Sequence, residues 1–192
     1  PKAISIYNKI IIKNPNNEKV LIDLGKIFKK IGRDNEAAQI YIKLYKLNKT
    51  KNDSYLAEAG HIFFKKGKKE AAYNAYKELI EKGYRKPDIA INMATMEFEK
   101  KKYEKVIPLL TNLDKSKIAE KEIASMLAFS YYNTDNYNFA IPHINILLEK
   151  SPSKEIVEMA AISYEKTEQL PKAISMYEKY LSLEKTAKHK KY

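Results

Sequence analysis

The chain has 192 residues, 44% hydrophobic and 31% charged, a balance too apolar for a disordered chain and long enough for one or two ordinary cores. It has no cysteine, which excludes a disulfide framework and thiolate chemistry, and its apolar runs, such as Ile10 to Ile12, fall far short of the roughly 20 residues that span a bilayer. The net charge of +12 invites a polyanion, but only Arg33 and Arg85 of the 36 basic residues are arginine and the lysines alternate with glutamates, so a solvated lysine surface is expected rather than a phosphate-reading stripe.

The stretch PKAIS stands at residues 1–5 and again at 171–175, five times 34 residues apart, a common length for a two-helix unit. Small residues mark the same interval along the whole chain: Ala3, Ala37, Ala72, Val106, Ala140 and Ala173. Four residues after each comes Tyr7, Tyr41, Tyr76, Leu110, Ile144 or Tyr177, and three further on an apolar or aromatic residue, so all three share one helical face. About twelve residues before each marker lies another small residue: Gly25, Gly60, Ala94, Ala128 and Ala161. There two helices can approach closely. Three residues after it stand Phe28, Phe63, Glu97, Tyr131 and Tyr164, with the third unit departing from the aromatic rule.

In chain order the pattern predicts helices at about 1–14, 18–31, 34–48, 53–66, 69–82, 88–101, 104–114, 117–133, 137–150, 154–167 and 171–184, with no strand. Gly32 and Gly67 fall in the turns between paired helices and Gly83 at a helix exit, where a left-handed residue ends a helix cheaply. Pro1 and Pro171 suit a first helical turn, whereas Pro108 and Pro142 lie about a turn inside their helices, where a local kink is expected.

Leu24-Gly25, Phe28, Ala37, Tyr41 and Leu44, then Gly60, Phe63, Ala72, Tyr76 and Leu79, with closing prolines at Pro15 and Pro152, resemble the tetratricopeptide repeat. The resemblance implies an all-α, right-handed α-α superhelix occupying 1–184: a half-repeat at 1–17, repeats at about 18–52, 53–86, 87–120, 121–153 and 154–184, and a basic tail at 185–192. The chain starts in mid-repeat, so further repeats upstream, a capping partner or contact with a second copy is expected to cover that end.

No catalytic, metal or cofactor site is expected. His61, His143 and His189 lie in separate regions without ligand spacing, the five glycines are all used by architecture, and acid pairs such as Glu97 and Glu99 point to different helical faces. The chain reads as a non-enzymatic scaffold for protein partners, with its compartment open.

In this family the first helices line a concave groove, and the resemblance implies ligand contacts at positions 2, 5, 6, 9, 12 and 13 of each repeat. The early groove is polar, with Asp23, Lys26, Lys30, Glu58, His61 and Asn92. The late groove is apolar, with Met126, Phe129, Tyr132, Met159 and Ile162. That patch is either the seat of an amphipathic helix or apolar peptide, or a surface packed against further repeats, the tail or a second copy. The clamp of lysine, asparagine and arginine by which some relatives hold chaperone tails is matched only by Asn92, so that ligand is not expected. The alternative is RNA binding of the pentatricopeptide kind, suggested by the stretch KKGKKEAAYNAYKELIEKGYRKPDIA at 65–90, whose ending no other repeat shares.

Overall fold

The computed structural model describes residues 2–84, 86–111, 113, 120–150 and 152–189; side chains at 120, 121 and 185–189 are not described. Among these residues all regular structure is helical, in eleven helices: α1 Lys2–Lys13, α2 Glu18–Lys30, α3 Asp34–Leu47, α4 Asp53–Lys65, α5 Lys69–Glu81, α6 Pro87–Glu99, α7 Tyr103–Leu110, α8 Glu120–Asn133, α9 Tyr137–Lys150, α10 Lys154–Lys166 and α11 Leu170–His189. The periodicity thus places every helix, and the differences lie at the ends. Helix α7 stops at Leu110, where the Thr111 hydroxyl donates to the Ile107 carbonyl; residues 112 and 114 of the expected span lie outside the described residues, as do 117–119 before α8. Helix α11 continues through His189 into the expected tail. Helix is unbroken past Pro108 to Leu110 and past Pro142 to Lys150.

The chain divides into two compact units, Pro1–Asn92 and Met93–Tyr192, with the division inside α6. In the first unit α2, α3 and α4 enclose a core of Leu21, Leu24, Ala37, Tyr41, Leu44 and Ala59, against which Tyr7 and Ile10 of α1 lie half-buried. In the second, Ala128 of α8, Ala140 and Ile144 of α9, Ala160 of α10 and Ala173 of α11 share one core.

The small residues explain why each pair of helices packs. A Cβ placed on Gly25 would lie 2.9 Å from the Tyr41 ring, and one on Gly60 would lie 2.6 Å from the Tyr76 ring, closer than any side chain tolerates. Ala94, Ala128 and Ala161 fill the same place fully buried. Each hairpin then turns in one way. The residues at Gly32, Gly67, Lys101, Asp135 and Glu168 all have positive φ, and the amide of the next residue donates back to the carbonyl of Phe28, Phe63, Glu97, Tyr131 or Tyr164. This is a Schellman turn, and it closes all five hairpins; Gly83, after which the Tyr84 amide donates to the Leu79 carbonyl, ends α5 in the same way. The turn fixes the register of α6: Glu97 occupies the aromatic place, 1% exposed, and its carbonyl accepts from Lys102 as the aromatic residues' carbonyls do in the other hairpins.

Helix starts draw on the links. Asn17, after Pro15, accepts from the Val20 amide, and Ser153, after Pro152, accepts from the Ile156 amide. Buried Asn52 donates to the Leu44 carbonyl and closes α3 at 2.8 Å.

Glycine plays two separable parts here. Gly67→Ala meets no atom within 4 Å and tests only the left-handed backbone, so a loss of about 1 kcal/mol is expected. Gly60→Ala pushes the buried Tyr76 ring and is expected to cost about 1–3 kcal/mol. Lys101→Gly should gain about 1 kcal/mol by relieving its positive φ. Urea denaturation of the three variants measures all of these.

Candidate functional site

Both units present a cleft between consecutive first helices. In the first unit it measures about 550 Å³ and is lined by Ile22, Lys26, Lys29 and Lys30 of α2 and by Ser54, Tyr55 and Glu58 of α4, with Tyr41 of α3 behind them. In the second it measures about 370 Å³ and is lined by Phe129, Tyr132 and Asn133 of α8 and by Glu155, Glu158, Met159 and Ile162 of α10, with Tyr103 of α7.

Counted from the start of each repeat, the two clefts have one register. Positions 9, 12 and 13 come from one first helix (Lys26, Lys29, Lys30; Phe129, Tyr132, Asn133), and positions 2 and 6 from the next (Ser54, Glu58; Glu155, Met159). Helical periodicity requires this, since residues three and four apart share a face. Lys29, Ser54, Tyr55, Tyr103, Asn133, Glu155 and Glu158 were not singled out by sequence, although most occupy those same positions.

The chemistry of the clefts differs. In the first, Tyr41 and Tyr55 stack with ring centres 6.1 Å apart, and Lys29 pairs with Glu58 at 2.5 Å. Burial, then the Glu58 charge, pushes the Tyr41 phenol above its usual value. In the second, Phe129 meets Phe98 edge to face at 6.2 Å and Tyr132 meets Tyr137 edge to face at 5.6 Å. Burial, followed by the charges of Glu158 and Asp135, raises the Tyr132 phenol.

The other groove candidates lie elsewhere. Asp23 accepts from the Tyr7 hydroxyl at 3.2 Å, and its charge is the main reason that the Tyr7 phenol is raised. Asn92 donates to the Tyr76 hydroxyl at 3.0 Å. The His61 ring lies 5.7 Å from the Tyr76 ring, with Nε2 3.3 Å from the Asp88 carboxylate but off the line of a hydrogen bond. Met126, 6% exposed, lines neither cleft and lies 3.8 Å from the Thr95 hydroxyl. Met159 shows only 4% of its surface to solvent at the floor of its cleft.

A rule in the sequence explains those burials. The second-helix tyrosine faces position 6 of the next repeat in the pairs Tyr7 with Asp23 and Tyr76 with Asn92, and Tyr41 lies within the field of Glu58. At the equivalent places Leu110 and Ile144 precede Met126 and Met159, so apolar residues stand where the polar pairs did, and all four are buried. Position 6 is therefore a seam between repeats as well as a groove position.

Among the described residues no group of three His, Asp or Glu side chains is placed to hold a metal ion, and no helix is long and apolar enough to cross a membrane.

The Tyr76 phenol, fully buried, is pushed up to about 12, mainly by burial. A raised phenol keeps its full stabilising share below the unfolded value near 10 and loses it as pH climbs through about 12. The urea midpoint should therefore fall between pH 10 and 12, and fall less steeply in Tyr76→Phe, a comparison that cancels the background of other tyrosines and lysines.

Comparison with known proteins agrees with the geometry. Residues 20–55 match the tetratricopeptide repeat family. No curated protein matches the sequence. Among solved structures the chain is similar to YrrB, a TPR protein with an unusual peptide-binding site, at 17% identity and TM-score 0.65, covering 92% of this chain and 91% of that one. It is also similar to MamA AMB-1, at 18% identity and TM-score 0.63 over 88% and 92% of the two chains, and to MamA 41-end from Desulfovibrio magneticus RS-1, at 13% and 0.57 over 88% and 96%. The chain carries a tetratricopeptide repeat at 20–55 and, in its described helices, the all-α fold of the tetratricopeptide solenoids.

Proposed function

We propose that the chain is a non-enzymatic interaction scaffold, one repeat array whose first helices hold segments of partner proteins. The observation that supports this reading most is the recurrence of one cleft register in both units, with half-exposed or exposed side chains at positions 9, 12 and 13 facing positions 2 and 6 of the next repeat. Repeat architecture holds such positions rigidly, so a ligand orders itself against a surface already formed. A peptide-binding site is also what YrrB is described with, at the level of shared fold.

The lining favours protein over RNA. A base-reading array keeps polar side chains at the same positions of every unit, whereas position 6 runs Asp23, Glu58, Asn92, Met126 and Met159, polar in three repeats and apolar in two.

Selection of a displayed random-peptide library on the intact chain tests the proposal. Enriched peptides should weaken about tenfold on Ile162→Lys or on Lys26→Glu, according to the cleft they occupy, and bind normally to Lys46→Glu on α3, which lines neither cleft. No enrichment, or binding indifferent to both cleft variants in folded protein, overturns it.

A further inference from the structure

We infer that the cleft of the second unit takes one cationic side chain, arginine or lysine, carried by an otherwise apolar peptide; this rests on the scaffold reading above. The two clefts share a register but not an electrostatic state. In the first, position 12 is Lys29, and it neutralises Glu58 across the cleft. In the second, position 12 is Tyr132, so no lysine stands there. Glu155 and Glu158 are exposed on α10 and pair with no cation among the described residues.

Two carboxylates without a cation partner on a chain of net charge +12 are a local reversal of sign. They stand beside aromatic rings. Phe129 and Tyr132 line the cleft, and edge-to-face contacts with Phe98 and Tyr137 hold those rings in place. Carboxylate and aromatic face together select a cation: the carboxylate supplies charge, and the ring quadrupole attracts the same charge without demanding hydrogen bonds. Met159 and Ile162 beside them suit apolar neighbours of that cation.

The overall charge limits the ligand further. A peptide with a run of basic residues meets the repulsion of the whole chain, whereas a single cation pays little of it. The occupant is therefore a mainly apolar segment with one basic side chain, and not a polybasic tail.

The test is a titration of the intact chain with acetylated and amidated Leu-Arg-Leu-Leu and with its citrulline counterpart, which keeps the shape and removes the charge. The ¹³C-methyl resonance of Met159, identified by its loss in Met159→Leu, reports occupancy. The arginine peptide should shift it saturably and bind on the order of fivefold more tightly than the citrulline peptide. That ratio should collapse towards one in the Glu155→Gln and Glu158→Gln double variant, whose changed residues are exposed. Equal affinities in the parent chain, a preference that survives in the double variant, or no shift with either peptide overturns the inference. Library peptides that are sensitive to Ile162→Lys yet carry no cation would remove it while leaving the scaffold reading in place.

Discussion

Everything in this chain depends on a close approach between two helices of one hairpin at a residue too small to keep them apart. At Gly60 the Tyr76 ring occupies the space that a methyl group would need, and at Gly25 the Tyr41 ring does the same. Because the ring enters so far, its hydroxyl or its flank reaches on to the next repeat, to Asn92 from Tyr76 and into the field of Glu58 from Tyr41. One steric allowance inside a hairpin therefore sets both the packing of that hairpin and what the following first helix meets at position 6.

That coupling explains a change of character along the chain without appeal to a ligand. Where the second helix supplies tyrosine, position 6 is polar; where it supplies Leu110 or Ile144, position 6 is methionine and buried. Polar pairing and apolar packing are alternative solutions for one seam, since a buried hydroxyl without a partner costs more than a hydrocarbon in its place. The positions just beyond the seam, at 9, 12 and 13, line the two clefts, and on the scaffold reading proposed above they are the ones left to recognition. There the chain places lysines in one unit and Phe129, Tyr132 and Asn133 in the other.

The fold was legible because periodicity reports burial directly. Small residues about 34 apart can recur only if the same contact recurs, and the helices follow. Even Glu97, which breaks the aromatic pattern, keeps its place, because the turn is defined by backbone hydrogen bonds and not by its side chain. The clefts were legible in register but only partly in membership. Met126 and Met159 look like groove residues when one helix is considered alone, yet both are buried, Met126 beside Thr95 of α6 and Met159 in the core that holds Ile144. Lys29 and Glu58 neutralise each other across 29 positions, a pairing that no local spacing announces. The left-handed positions of Lys101, Asp135 and Glu168 were hidden too, since sequence marks such places only when they carry glycine.

The five repeated turns also give the chain a set of built-in gauges. In each, one amide, at Arg33, Lys68, Lys102, Asn136 or Gln169, donates across the turn to a carbonyl of its own first helix and is protected while that turn is formed. Stability in a stacked array is a sum of unit and neighbour contributions, so deuterium uptake at those five amides reads the contributions one by one. A ligand seated between two first helices would slow uptake at the hairpins it bridges and leave the distant ones unchanged, locating itself by clockwork.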